Sequence, residues 1–286
     1  MRTVDLHIHT TCSDGTETPE EIIRHASDLN LAAAAITDHD TMAGVHRAQE
    51  AGALLGIPVI PGIEISTSWH EREIHLLGYF LNPESDSLRP VLEWTVNDRN
   101  ARNEKIVALL QRDGYHISME ALREAHPDTV IGRPHMAEML LQAGEVNSIQ
   151  DAFNRLLAEG CPYYLPRTYI PFHRAAEIIY AAGGVPVLAH PLQYKFPREE
   201  LETLVRTAAD CGAVGLEVYY SGYDAAMQGR LMALGDRYGL IYTGGSDYHG
   251  TRKPHISLGT GMGHLQVPES AAEALRAAWE SRRKSG

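Results

Sequence analysis

Thiols are scarce in this chain and badly placed for pairing. Cys12, Cys161 and Cys211 stand far apart with no C-x-x-C pair among them, which excludes a disulfide framework and a thiolate zinc ribbon alike. Long apolar runs are missing too: none approaches the roughly 18–20 residues of a membrane span. Met1 leads almost directly into the first predicted strand. That leaves no room for a signal peptide, and a cytoplasmic protein with no membrane partner is expected. Positive charge is also short. Lys and Arg number 25 against 37 Asp and Glu, a net charge of −12, which argues against the broad basic groove that long duplex nucleic acid needs. No G-x-G-x-x-G or Walker pattern occurs, so Gly183-Gly184 and Gly244-Gly245 read as turn or close-packing glycines. Internal repeats and low-complexity tracts are absent.

Histidine is plentiful, 15 in 286 residues. The opening stretch Asp5-Leu-His7-Ile-His9 runs as a strand into a loop that carries Asp14 and Gly15. Residues two apart on a strand point to one face, so His7 and His9 lie side by side with a carboxylate five residues on. Such a group is poor core material and good ligand material for a divalent metal. Cys12, in the same stretch, reads as loop packing. Gly15 reads as the turn that lets Asp14 reach back.

Strand-like and helix-like segments then alternate. Val4–His9, Leu31–Thr37 and Pro58–Ile65 read as strands, the last continuing into Glu73–Tyr79. Thr18-Pro-Glu-Glu21 forms a capping box before a helix that turns Ile22, Ile23, Ala26 and Leu29 inward. Thr41–Leu55 is a second helix, ended by Gly56. After Leu81 the alternation breaks, and helical segments fill the chain to about 160 without a strand. It resumes with strands Gly183–His190, Val214–Tyr219 and Leu240–His249, separated by helices, and a closing helix Glu269–Arg282. About seven strands with short connections predict an α/β fold of parallel strands. The division is a first barrel part over 1–84, a helical insertion over 85–171 and a second barrel part over 172–286.

Each polar cluster falls at the carboxyl end of a predicted strand: His7 and His9, Asp38-His39-Asp40, Glu64, His75, His190, and Asp247 with His249. In a parallel barrel those ends share one face, where active sites of such barrels lie. Imidazoles and carboxylates without thiolates suit Zn, Mn or Fe(II). They are too many for one tetrahedral ion, so two or three ions are implied. His25, His46, His70, His116, His126, His173, His255 and His264 stand outside these clusters and read as structural or exposed.

The H-x-H…D-G opening, the Thr37-Asp-His-Asp turn, Pro-Gly-Ile-Glu64, His75, Ala-His190-Pro and Ser-Asp247-x-His249, in this order, resemble the polymerase and histidinol phosphatase (PHP) family. The likeness spans about 1–82 and 172–265. The intervening Gly132-Arg-Pro-His resembles its stand-alone TrpH-like branch, the 3′,5′-nucleotide bisphosphate phosphatase and 5′-3′ exoribonuclease type. The resemblance implies a distorted (β/α)7 TIM-like barrel with a helical insertion that caps a trinuclear site. His7, His9, Glu64 and Asp247 would hold one ion. Glu64 would bridge to a second, completed by His75 and His190. Asp14, His39 and His249 would hold the third.

Two close divalent ions lower the pKa of a bridging water to roughly 7 and generate a nucleophile for in-line attack on phosphorus. Asp40 and His249 are candidates to protonate the leaving group, and Asp38 to orient His39. Arg133 and His135 open a predicted helix, where free N–H groups favour phosphate. Arg99, Arg102 and Lys105 on the long insertion helix are further candidates for substrate contact, although a solvated helix face explains such a charge run equally well, and Arg167 in the return linker is another. Tyr163, Tyr164 and Tyr169 read as linker packing with base stacking as the sharper option. Glu217 reads as polar lining. A metal-dependent phosphoesterase is expected, with Mn as the metal and Fe(II) or Zn as alternatives. Its substrates would be nucleoside 3′,5′-bisphosphates or short RNA; the competitors are a histidinol-phosphate phosphatase and a non-catalytic PHP module.

Overall fold

The computed structural model describes residues 2–285. Its strands are β1 (Asp5–Ile8), β2 (Ala34–Ile36), β3 (Val59–Trp69), β4 (Arg72–Tyr79), β5 (Ile170–Pro171), β6 (Val185–Leu188), β7 (Gly215–Tyr220) and β8 (Ile241–Gly245). Seven of them form one path, β1-β2-β3-β4-β6-β7-β8, and the two-residue β5 lies along β3. Beyond β8 the chain returns to β1. Asp247 N donates to His7 O at 2.9 Å and His9 N to Tyr248 O at 3.0 Å, and Ile8 pairs with Tyr248 in parallel. These contacts draw the two edges together as a barrel. Gly245 permits the approach, since a Cβ there would lie 2.3 Å from His7 N.

One strand corrects the all-parallel expectation. β4 runs antiparallel to both β3 and β6. The cause is the connection: a parallel return needs roughly a dozen residues, and only His70 and Glu71 separate β3 from β4. Both adopt left-handed backbone, at φ 48° and 62°, as a type I′ hairpin turn requires. His75 therefore reaches the site from the first half of an inverted strand, and Glu64 from the middle of β3 rather than its end.

Helices α1 (Pro19–Asp28) and α2 (Val45–Leu55) follow β1 and β2. The break in alternation holds α3 (Arg89–Arg112), α4 (Met119–Ala125), α5 (Arg133–Gln142) and α6 (Ile149–Ala152). The remaining helices are α7 (Phe172–Ala181), α8 (Arg198–Asp210), α9 (Ala225–Tyr238) and α10 (Glu269–Ser285). α1 starts as its sequence dictates: Glu21 N donates to Thr18 Oγ1 while Thr18 N donates to the Glu21 carboxylate at 2.8 Å. α2 starts at Val45 rather than Thr41, because 41–44 is spent on a turn that brings Gly44 against Pro19 and Asp38.

α3 belongs to two cores. Leu88, just before it, is buried with the barrel residues Ile63, Leu76 and Leu188, whereas Ile106, Val107 and Leu110 join a separate core with Leu122, Met136 and Leu157. The helical layer thus has its own apolar centre and is tethered to the barrel by a shared rod. No helix among the described residues is long and apolar enough to cross a membrane.

The hairpin turn generates a stability prediction. A side chain at positive φ costs about 1 kcal/mol relative to glycine, and Glu71 is exposed. Glu71→Gly is expected to raise stability by about 1 kcal/mol in thermal denaturation. An unchanged or lower midpoint would contradict the turn assigned here.

Candidate metal centre

Glu64 sits in the middle of the site. It is buried, and its two oxygens face different groups. Oε2 lies 3.2 Å from both His7 Nε2 and His9 Nε2. Oε1 lies 2.8 Å from His75 Nδ1 and 2.9 Å from His190 Nε2. Asp247 Oδ1 closes the first group at 3.2 Å from His9 Nε2. On the far side of His9, Asp14 Oδ1 stands 3.3 Å from His249 Nε2, 3.7 Å from His9 Nδ1 and 3.9 Å from His39 Nε2. All nine residues named from the sequence are brought together, in overlapping groups of three and four whose donor atoms lie within 4.8 Å of one another.

The charges are arranged for cations. Burial alone would lift the Glu64 carboxyl, yet His39, His75 and His7 hold it well below its usual range. Burial opposes charge on His9 and His75 as well, but Asp247 and Glu64 raise His9 to about 9, and Glu64 and Glu73 raise His75 to about 10. These imidazoles are drawn toward protons by the carboxylates they face. A divalent ion among the same atoms replaces those protons. Three buried ring nitrogens, His9 Nδ1, His39 Nδ1 and His190 Nδ1, lack a hydrogen-bond partner. His39 Nδ1 is 3.1 Å from Glu64 Oε2, but out of line for a hydrogen bond. Orphaned nitrogens beside ionised carboxylates, with no thiolate present, fit a hard or borderline divalent metal.

A second layer of side chains aims these donors. Glu217, fully buried, takes His7 Nδ1 at 2.9 Å through one oxygen and His190 N at 2.7 Å through the other. Tyr220 Oη and Lys253 Nζ each donate to Asp247 Oδ2 at 2.7 Å, leaving Oδ1 for the site. Asp38 makes no hydrogen bond to the His39 ring, contrary to expectation. It accepts from Thr10 N, Thr10 Oγ1 and Ser13 Oγ at 2.6–2.7 Å, and so fixes the loop that presents Asp14. Gly15 contributes by having no Cβ, which would lie 2.3 Å from His9 O; it carries no positive φ. Asp40, His190 and Asp247 do, at 57°, 26° and 58°, so backbone strain gathers at this face.

Above these donors lies a cavity of about 170 Å³, roofed by Arg99, Arg102, Arg133 and Arg167 over Asp14, His39 and His75. Arg99 and Arg167 both donate to Asp40 Oδ2, and Asp40 also accepts from Ser66 N at 2.8 Å. Burial would raise the Asp40 carboxyl, but the two guanidiniums hold it at about 2. The expectation that Asp40 protonates a leaving group is corrected by this: it has no proton to give at neutral pH, and it anchors the roof instead. His249 likewise suits a ligand better than an acid, since Nδ1 donates to Asp247 O at 2.8 Å and Nε2 faces Asp14.

Arg102 is buried with no carboxylate partner among the described residues. Its own burial, and then Arg133, Arg99 and Arg167, push it down to about 9. Lys105 is exposed, because three-residue steps drift around a helix of 3.6 residues per turn. His135 is corrected too. Its Nδ1 accepts from Gly132 N at 2.9 Å, and burial holds the ring neutral, at about 3. It caps α5 and does not line the cavity.

The model of the PHP domain matches residues 5–163. The 5′-3′ exoribonuclease Rnm of Escherichia coli is 33% identical over 278 residues, covering 96% of this chain and 93% of the relative. The 3′,5′-nucleoside bisphosphate phosphatase of Chromobacterium violaceum is 32% identical over 250 residues, covering 87% and 88%. A crystal structure from Bifidobacterium adolescentis, assigned as a metal-dependent phosphoesterase, superposes with a TM-score of 0.86 at 31% identity over 97% of this chain and 96% of that one.

Two substitutions test the site's architecture. Asp40→Ala strands two buried guanidiniums, and removing one partner of a buried ion pair costs about 3–5 kcal/mol; a loss of that order is expected in denaturant titration, and a loss under about 1 kcal/mol would show that the roof does not depend on it. Glu217→Ala frees His7, and loss of such an outer partner lowers metal affinity by about 10–100-fold. Competition against a chelator measures it, and an unchanged affinity would remove Glu217 from the support of the site.

Proposed function

Because this chain belongs to the PHP family of metal-dependent phosphoesterases, we propose that it cleaves the 3′-phosphate ester of 5′-phosphorylated nucleotides. Its substrates on this reading are nucleoside 3′,5′-bisphosphates and the 5′ ends of short RNA. One observation carries the proposal: four guanidiniums roof a cavity floored by Asp14, His39 and His75, and two of them, Arg102 and Arg133, have no carboxylate among the described residues to neutralise them, whereas Arg99 and Arg167 share Asp40. A substrate with a single phosphate leaves that charge unmet. A substrate with two can set one on the floor and one under the arginines, where fork-shaped donors match phosphate oxygens. The two relatives, named a 5′-3′ exoribonuclease and a 3′,5′-nucleoside bisphosphate phosphatase, both act on phosphate esters of nucleotides.

On this reading His7, His9, Glu64 and Asp247 hold one ion, Glu64 with His75 and His190 a second, and Asp14, His39 and His249 a third. Mn is the proposed metal, with Fe(II) or Zn suited to the same donors. The ions supply positive charge to the phosphoryl oxygens and acidify a water. The protein's own groups do the rest. Glu217, Tyr220, Lys253 and Asp38 fix donor directions, Asp40 holds Arg99 and Arg167 in place, and Arg102 and Arg133 take the other phosphate. The acidic chain, at −12, disfavours long duplexes, whose binding rests on many cationic contacts. Histidinol phosphate is disfavoured as well, because its ammonium group would face the arginines.

Phosphate release from adenosine 3′,5′-bisphosphate, mononucleotide release from a short 5′-phosphorylated RNA and phosphate release from histidinol phosphate, run side by side with added Mn, test the reading. The first two are expected to turn over. Asp247→Ala should abolish turnover with the circular dichroism spectrum retained, and Arg102→Ala should raise KM by about tenfold or more, the size of a lost charge-assisted contact. Histidinol phosphate turned over best by orders of magnitude would contradict the proposal.

A further inference from the structure

Outward from the arginine roof the cavity opens into a groove of about 960 Å³, within the range of about 300–1,000 Å³ typical of small-molecule sites. The two spaces are continuous: Glu73, Arg133, Phe153, Arg167 and Tyr169 line both. Tyr164 joins the wall of the outer one. The three tyrosines of the return segment divide here. Tyr163 is buried in the helical layer, its hydroxyl on Asp113 at 2.9 Å and its ring edge-on to Tyr115. Tyr164 and Tyr169 are half-exposed to the groove. The Arg133 guanidinium stands 5.3 Å from the centre of the Tyr164 ring, and that of Arg167 5.1 Å from the centre of the Tyr169 ring. Each pairing sets a ring next to an arginine that also lines the phosphate cavity. Among the described residues no other aromatic ring is stacked on Tyr164, Tyr169 or Phe153.

We propose that this groove seats the nucleobase of the substrate, stacked on Tyr164 and Tyr169 and backed by Phe153, while the 5′-phosphate of the same nucleotide lies under Arg102 and Arg133. The proposal rests on the nucleotide reading given above and adds a base subsite to it. A base, rather than further backbone, is the fitting occupant. The exposed carboxylates of Glu71 and Glu159 flank the groove, and the Arg72 guanidinium beside them is taken up by Tyr194 O and the Phe196 ring; a second phosphodiester is repelled there, whereas a flat neutral ring gains from aromatic faces and guanidinium planes. Glu73 is already engaged with His75 and with the Tyr169 hydroxyl. Recognition is therefore by the face of the ring more than by its edge, and all four bases are accepted.

The test compares kcat/KM for adenosine 3′,5′-bisphosphate with that for its abasic analogue, in which hydrogen replaces adenine at C1′. The wild-type ratio is expected to be about tenfold or more, carried in KM, as one base–aromatic stack supplies. Tyr164→Ala should bring the ratio toward one, and Tyr164→Phe, which keeps the ring, should retain it. A wild-type ratio near one overturns the base subsite and leaves the phosphoesterase reading intact; this measurement needs no variant to fold. A ratio unchanged in Tyr164→Ala and in Tyr169→Ala also overturns it. Turnover of neither compound overturns the nucleotide reading, and the subsite with it.

Discussion

Glu64 is ionised and buried, with five imidazoles crowded on its two oxygens. A carboxylate out of water is costly unless charge or hydrogen bonds compensate it. Here compensation comes from residues far apart in the chain: β1 and the residue just past it supply His7 and His9, the turn after β2 supplies His39, β4 supplies His75 and the turn after β6 supplies His190. That single group therefore requires the barrel to close and β4 to turn back on β3. Its two oxygens also set the division of labour, one side facing His7, His9 and His39, the other facing His75 and His190.

A second buried carboxylate does for the roof what Glu64 does for the floor. Asp40 receives Arg99 from α3 and Arg167 from the return segment. Other ties join the layers nearby. Val130 N donates to Cys12 O at 3.0 Å, Thr129 Oγ1 to Thr11 O at 2.6 Å, and Arg252 Nε to Glu138 at 3.2 Å. The helical layer is thus pinned at several points around the metal-type donors. Excess positive charge collects above them and excess negative charge below, which is the polarity a phosphate ester bound between metals and arginines needs.

Apart from Asp14, which lies on the loop beyond β1, the donors were legible in the sequence because each sits on a strand or shortly after its end, where a two-residue period or a strand end fixes its direction. The supporting residues were not. Asp40 meets Arg99 across 59 positions and Arg167 across 127, and Glu217 meets His7 across 210; no local pattern records such pairings. Asp40 and Asp38 looked like chemistry because they flank His39, when Asp38 fixes the loop that presents Asp14 and Asp40 anchors the arginine roof. Glu217 did leave a signal, since a lone carboxylate inside the apolar strand β7 must find a buried partner. The inversion of β4 was also readable. A two-residue gap between strands admits only a hairpin, but His-Glu lacks the Asn-Gly or Asp-Gly chemistry that usually marks one.

Metal content tests the central claim most directly. The donor arrangement predicts that the purified protein holds more than one equivalent of Mn, Fe or Zn per chain, and that stripping it with a chelator lowers the unfolding midpoint and abolishes phosphate release together, both returning with added Mn. A chain that releases phosphate and unfolds identically with no metal bound would contradict the account.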